Sequence, residues 1–156
     1  MSQVEQRLDA MGITLPVPAA PLANYVPFVI TGHLLVTSGQ LCFDTDGKLA
    51  ARHTGKLGGS VSAEDGKEAA RFCAINILAL AKVALGDLDR VTRCIKLTGF
   101  INAMPDYSAI PGVMNGASDL MVEALGDKGR HARSTVGMAV LPLDAAVEVE
   151  AMFEFA

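Results

Sequence analysis

The run VEVEAMFEF, Val147 to Phe155, decides the fold: Val147, Val149, Ala151, Phe153 and Phe155 alternate with Glu148, Glu150, Met152 and Glu154. Successive side chains of a strand point to opposite faces, so one face here is greasy and the other largely acidic. Such a strand belongs to a sheet that helices cover on one face only. Its acidic face must look at water, at a site, or at another subunit.

Upstream, the apolar run STVGMAV at Ser134 to Val140 reads as a preceding strand. Between Val91 and Ile101 the period is again two: Val91, Ile95, Leu97 and Ile101 share one side and Thr92, Lys96 and Thr98 the other, with Arg93 and Phe100 breaking the pattern. The runs FVIT and LLVTSGQ, between Phe28 and Gln40, flank Gly32-His33 as a tight hairpin. Ser62, with Asp65 at capping-box spacing and Gly86 beyond the end, brackets a long helix to about Leu85. Ala69, Cys73, Asn76, Ile77, Leu80 and Ala84 give it a face to bury. A second helix is expected over Asp106 to Leu125, interrupted early by Pro111 and Gly112. Turn residues Thr45-Asp46-Gly47 and Gly58-Gly59 make Leu41 to Gly59 a strand fragment followed by a surface loop. At the N-terminus a short helix, Val4 to Met11, precedes a Pro-rich arm, Leu15 to Pro21. The order ββ, α, β, α, ββ predicts an α+β fold, its sheet antiparallel or mixed, with both helices on one face.

The 156 residues suit one domain, and 51% of them are hydrophobic against 19% charged. Mean hydropathy is +0.35, yet no apolar run approaches the ~20 residues of a bilayer span. That surplus of apolar side chains predicts a subunit interface and no membrane partner. A net charge of −4 with scattered Lys and Arg argues against nucleic acid. The N-terminal stretch has neither a basic nor an apolar targeting region, which leaves the cytoplasm as the expected location. Cys42, Cys73 and Cys94, and likewise His33, His53 and His131, are too dispersed for a metal or redox motif, so neither metal nor disulfide is expected. No phosphate-binding glycine motif and no nucleophile elbow is present.

Arg133 stands immediately before an apolar strand, and the C-terminal strand offers Glu148 and Glu150 at what reads as the same side-chain parity. A guanidinium fork held there would grip a small carboxylate in a bidentate way. One of the two glutamates in a partly desolvated pocket would serve as general acid and base through water. Thr37-Ser38-Gly39-Gln40 closes a strand with small residues that permit close backbone approach to a ligand, and Tyr25 after the Pro-rich arm could cover a pocket.

Taken together, Ser38-Gly39-Gln40, the helix carrying Ala70 to Leu85, the run GDLDRV at 86–91, Asn115, Ala132-Arg133-Ser134 and VEVEA at 147–151 resemble the Rid family, also called YjgF/YER057c/UK114. The likeness runs from about Tyr25 onward, which divides the chain into an N-terminal helix and arm, 1–24, and a single Rid-like domain, 25–156. It implies a chorismate-mutase-like mixed sheet with two helices on one face, a homotrimer closing a central barrel, and clefts between neighbouring subunits. It further implies hydrolysis of 2-enamines and 2-imines, of the 2-aminoacrylate and 2-iminopropionate type, to 2-oxo acid and ammonia without a cofactor. In that scheme Arg133 binds the carboxylate, Glu148 positions or activates water, Tyr25, Ser38 and Asn115 line the cleft, and a backbone group at Thr135 holds substrate or water. The sequence departs from the best-known relatives where they carry Cys at Thr135 and Pro at His131 or Ala132, in its N-terminal extension, and in a longer 106–129 region, all marks of a distinct subgroup. The alternative is a non-catalytic regulatory protein that binds a small carboxylate or 2-oxo acid in the same pocket.

Overall fold

The computed structural model describes residues 2–21 and 23–156. The alternating C-terminal run forms β6, Val147–Phe155, and its five apolar positions are buried while its acidic side is half-buried or exposed. Beside it lies the long strand β4, Val91–Asn102, antiparallel to β6; the edge strand β5, Ala132–Met138, runs parallel to β4. On the other flank β2, Leu34–Thr37, pairs with β6 and with β1, Phe28–Thr31, while the two-residue β3, Gln40–Leu41, also pairs with β6. The sheet order β1-β2-β6-β4-β5 is therefore mixed, and the expected α+β class is the one found.

The helix α2, Ala63–Leu85, begins where Ser62 Oγ accepts from the Asp65 amide, and it stops at Gly86, whose positive φ of 76° permits the chain to turn away. It packs with α3, Ile110–Leu125, over one sheet face. Pro111 starts α3 rather than interrupting it; a proline in the first turn forfeits no helical hydrogen bond. Two glycines set the packing distance. A Cβ on Gly116 would collide with the Lys67 carbonyl of α2, and one on Gly99 of β4 would collide with the Met114 side chain of α3. The N-terminal helix α1, Gln3–Ala10, buries Val4 and Leu8 in the same core, and Asp89 accepts from the Gln3 and Val4 amides at 2.8 and 3.0 Å.

Two further expectations are corrected. In β4 the register shifts between Val91 and Arg93 and again between Cys94 and Lys96. Each bulge inserts one residue, so the buried side reads Val91, Cys94, Leu97, and Cys94 takes the core position assigned to Ile95. Beyond the bulges the period is two, and Phe100 falls on the open face with Lys96 and Thr98. The segment after β3 is also no mere surface loop, because Cys42, His53, Gly55 and Leu57 are buried in it.

The link from β5 to β6 must cross the end of β4, and Asn102 pins it there. This fully buried amide donates to Asp144 Oδ1 at 2.8 Å and to the Ala145 carbonyl at 3.1 Å, and accepts from Lys56 Nζ at 2.6 Å. Asn102→Leu strands these partners. It should lower unfolding free energy by about 1–3 kcal/mol, seen as a lower urea midpoint with an unchanged m-value; an unmoved midpoint would show that the crossing is held by packing alone.

Candidate active site

The expected site residues fall into two groups. The first lies between β5 and α3. Arg133 Nη1 donates to Asn115 Oδ1 at 2.8 Å and to Ser118 Oγ at 3.3 Å, and Nη2 donates to the Pro111 carbonyl at 3.3 Å. All three acceptors are uncharged, and among the described residues no carboxylate pairs with Arg133. The guanidinium thus keeps a full positive charge, together with Nε–H and one Nη2–H that have no protein acceptor among the described residues. Thr135 follows on the same face of β5, and its Oγ1 is buried without a hydrogen-bond partner. As β5 is a sheet edge, alternate backbone groups along it point away from β4.

The second group lies where β2 gives way to β3. Ser38 Oγ donates to the Val26 carbonyl at 2.6 Å, which ties the segment bearing Tyr25 to the end of β2. Tyr25 is itself exposed. Glu148 rests against Gly39, where an added Cβ would collide with its Oε1. Thr37 makes the turn possible: its hydroxyl accepts from the Ala151 amide at 3.0 Å, replacing a ladder bond at the irregularity between β2 and β3. Burial pushes the Glu148 carboxyl above the ordinary glutamate range, and the nearby charge of Glu150 adds to the push.

The two groups do not meet within one chain. Arg133 is level with Leu97 in β4, and Leu97 is level with Ala151 in β6, so Arg133 shares the helix-covered face with Leu97 and Ala151. Glu148 is level with Phe100 and points to the open face. The expectation of common parity fails because the register carried through β4 sets Arg133 level with Ala151, and not with Glu148 or Glu150. Sequence reading also passed over Ser118 and His131 as part of the Arg133 setting, although Asn115 and Ser118 share a helix face at i, i+3 and His131 has the parity of Arg133.

Elsewhere, His53, Asp65 and Glu68 bring one ligand-type atom each within 4.8 Å of one another. Arg52 Nη2 already lies 2.7 Å from Glu68 Oε2, and His53 Nε2 lies 2.7 Å from the same oxygen. The guanidinium supplies the positive charge there, and the group reads as an ion-pair network holding the 51–53 turn to α2. The three cysteines are buried and unbridged, with burial lifting the Cys94 thiol to about 12. Two concavities, of about 320 and 350 Å³, are walled by α2 and include neither Arg133 nor Glu148. Among the described residues no helix is long and apolar enough to cross a membrane.

A family model described as "YjgF/chorismate mutase-like, putative endoribonuclease" matches residues 5–155. Protein TCP17 of Trypanosoma cruzi is 46% identical over 153 residues, covering 97% of this chain and 94% of its own. The solved structure of Atu1372, a protein of unknown function from Agrobacterium tumefaciens, is 48% identical with a TM-score of 0.91, covering 98% of this chain and 92% of its own. Escherichia coli TdcF, solved with bound serine, is 26% identical with a TM-score of 0.64, covering 92% and 96%. At nearly the same coverage the drop from 0.91 to 0.64 separates a close subgroup from the wider fold.

Between the ordinary and the raised pKa of Glu148 the folded chain holds a proton that the unfolded chain has released, so stability is lost as pH rises through that window. Glu148→Gln removes the penalty. Its thermal midpoint should exceed the parent's at neutral pH, and the gap should close below about pH 4; a gap that is the same at both pH values would show that ionisation of Glu148 is not its source.

Proposed function

The chain belongs to the YjgF/chorismate-mutase-like, or Rid, family, and from that premise we propose that it hydrolyses small 2-imino acids and their enamine tautomers to 2-oxo acids and ammonia. The observation that carries this reading is the Arg133 guanidinium, held in place by Asn115, Ser118 and the Pro111 carbonyl with no carboxylate among the described residues to neutralise it. Such a pre-positioned, uncompensated fork suits a substrate carboxylate, which would bring the missing charge.

Arg133 and Glu148 lie on opposite faces of their own sheet, so a site that uses both takes them from two copies of the chain. A homotrimer with its sites between subunits meets that requirement. Supporting it, Val29 and Val136 on the open face are 52% and 43% exposed, and the β5 edge leaves backbone groups unpaired. The cleft would join Arg133, Asn115 and Thr135 of one copy to Tyr25, Ser38 and Glu148 of the next. There the substrate carboxylate sits on Arg133. Glu148, readily protonated, gives a proton to the imine nitrogen and, as carboxylate, takes one from the water that adds to the carbon. Collapse of the carbinolamine breaks the C–N bond, and the products are ammonia and the 2-oxo acid. No redox partner enters, because an imine is already polarised toward hydration.

An RNA substrate, which the family description suggests, fits less well, because the chain carries a net charge of −4 and its Lys and Arg are scattered rather than gathered into a basic run. The second reading, a carboxylate-binding regulator, is favoured by the serine bound to TdcF, an amino acid without an imine.

Sedimentation at micromolar concentration should give a trimer; a stable monomer would remove the shared site. With imines generated in situ by an amino-acid oxidase, Arg133→Ala should abolish release of 2-oxo acid, and Arg133→Lys should be severely impaired, since a point charge does not replace the planar fork. Glu148→Gln should slow turnover by about 10²–10⁴ while largely preserving 2-oxo acid binding. Wild-type rates in Arg133→Ala would overturn the clamp; a wild type that binds 2-oxo acids yet hydrolyses none of the imines would select the regulator.

A further inference from the structure

Arg133 does not meet its helix partners unaided. His131, two residues earlier, places Nδ1 2.6 Å from the Gly129 carbonyl and Nε2 2.9 Å from Ser118 Oγ. A carbonyl only accepts, so Nδ1 is the donor, and in the neutral ring Nε2 must accept. The one proton of Ser118 is then directed at His131. This turns the lone pairs of Ser118 Oγ toward Arg133 Nη1, 3.3 Å away. The result is a directed chain in which every donor has one acceptor: Arg133 to Ser118, Ser118 to His131, His131 to the Gly129 carbonyl. Asn115 Oδ1 accepts from the same Nη1, so that nitrogen is fully engaged and the Nε–Nη2 side of the fork remains for a ligand.

We propose that His131 is a positioning residue for the substrate carboxylate, acting through Ser118 on Arg133 and touching no substrate itself. The role rests on Arg133 being the carboxylate clamp proposed above. The physical reason is a choice that a helical serine otherwise has. Without His131, the Ser118 hydroxyl can turn its proton to the carbonyl one helical turn back, at Met114, or outward toward the guanidinium, where it meets Arg133 donor to donor. The neutral His131 ring with its proton on Nδ1 removes both alternatives. Gly129 matters for the same chain: it is buried, and a Cβ there would collide with the Met121 carbonyl, so the backbone that holds His131 is packed directly on α3. Substrate selection follows. A fork whose Nη1 is locked to α3 presents one fixed edge, which favours planar, bidentate 2-oxo and 2-imino carboxylates over ligands that need the guanidinium to turn.

The test is binding of 2-oxobutyrate by titration calorimetry together with imine turnover, on the wild type, His131→Leu, Ser118→Ala, the double variant and His131→Gln, each checked for an unchanged thermal midpoint and oligomer. His131→Leu and Ser118→Ala should each raise the 2-oxobutyrate Kd and the imine KM about tenfold with kcat nearly unchanged, as expected when a hydrogen bond to a charged group loses its orientation. The double variant should be no worse than Ser118→Ala, because both changes cut one chain. His131→Gln, whose amide oxygen can accept from Ser118, should recover most of the loss. Nitrogen-15 shifts of the His131 ring should report a neutral ring with its proton on Nδ1. Wild-type affinity in His131→Leu, full additivity in the double variant, or a ring carrying its proton on Nε2 overturns the proposal while the clamp stands. A wild type that neither binds 2-oxobutyrate nor hydrolyses any imine overturns the clamp, and the role of His131 falls with it.

Discussion

Everything in the site follows from how one long strand is paired. β4 runs antiparallel to β6 and parallel to β5, and side chains at the same level in adjacent strands share a face. With only two faces available, the parity of β4 fixes the parity of both neighbours. Leu97, Gly99 and Ile101 belong under the helices, so Arg133, Thr135 and Gly137 do too, while Phe100 carries Glu148 to the open side. Strand spacing of about 4.8 Å puts β5 and β6 roughly 10 Å apart. No rotamer takes an arginine through a packed sheet, and the separation of the two charged groups is therefore topological rather than a matter of side-chain choice.

The same constraint explains why glycine recurs at the contacts that matter. α3 can supply Asn115 and Ser118 to Arg133 only if it sits low on the sheet, and Gly99 under Met114 provides that depth. The crossing of α3 over α2 at Gly116 brings backbone against the Lys67 carbonyl and fixes the helix laterally. On the open side, Gly39 leaves room for the Glu148 carboxyl. A side chain at any of these three would have to displace a neighbour, at Gly116 a carbonyl that cannot give, so small residues here position chemistry as directly as the polar ones do.

Local rules were the legible part of the sequence. The period of β6, the Ser62 cap, the Gly86 stop and the Gly32-His33 hairpin each depend on a few adjacent residues, and each stands in the structure as read. What needed the third dimension was misread. The two bulges in β4 convert a spacing of two into three, and no single-strand pattern announces them when Cys94 and Ile95 are both apolar. The burial of His53 and Leu57 follows from α2 folding over them. For the site, Arg133, Asn115, Ser38 and Glu148 stood out by type, but their division between two faces depended on which strand neighbours which. That information lies in pairing, not in the residues, and the His131 to Ser118 contact spans a helix and a strand for the same reason.

Each of the two groups of candidate residues is organised within its own chain. Arg133 is oriented by α3, Glu148 by Gly39, and Ser38 by the Val26 carbonyl, all through contacts that need no second copy. On the reading of a shared cleft, assembly then has only to align two prepared surfaces, and little conformational entropy remains to be lost at the site when subunits meet. The charges also point that way. Among the described residues Arg133 has no counter-ion, and burial holds the Glu148 carboxyl above its ordinary range. On the same reading a carboxylate ligand beside Arg133 would supply that counter-ion. On that reading Glu148, whose carboxyl burial and then the charge of Glu150 hold above the ordinary glutamate range, would be the group that passes a proton between water and ligand.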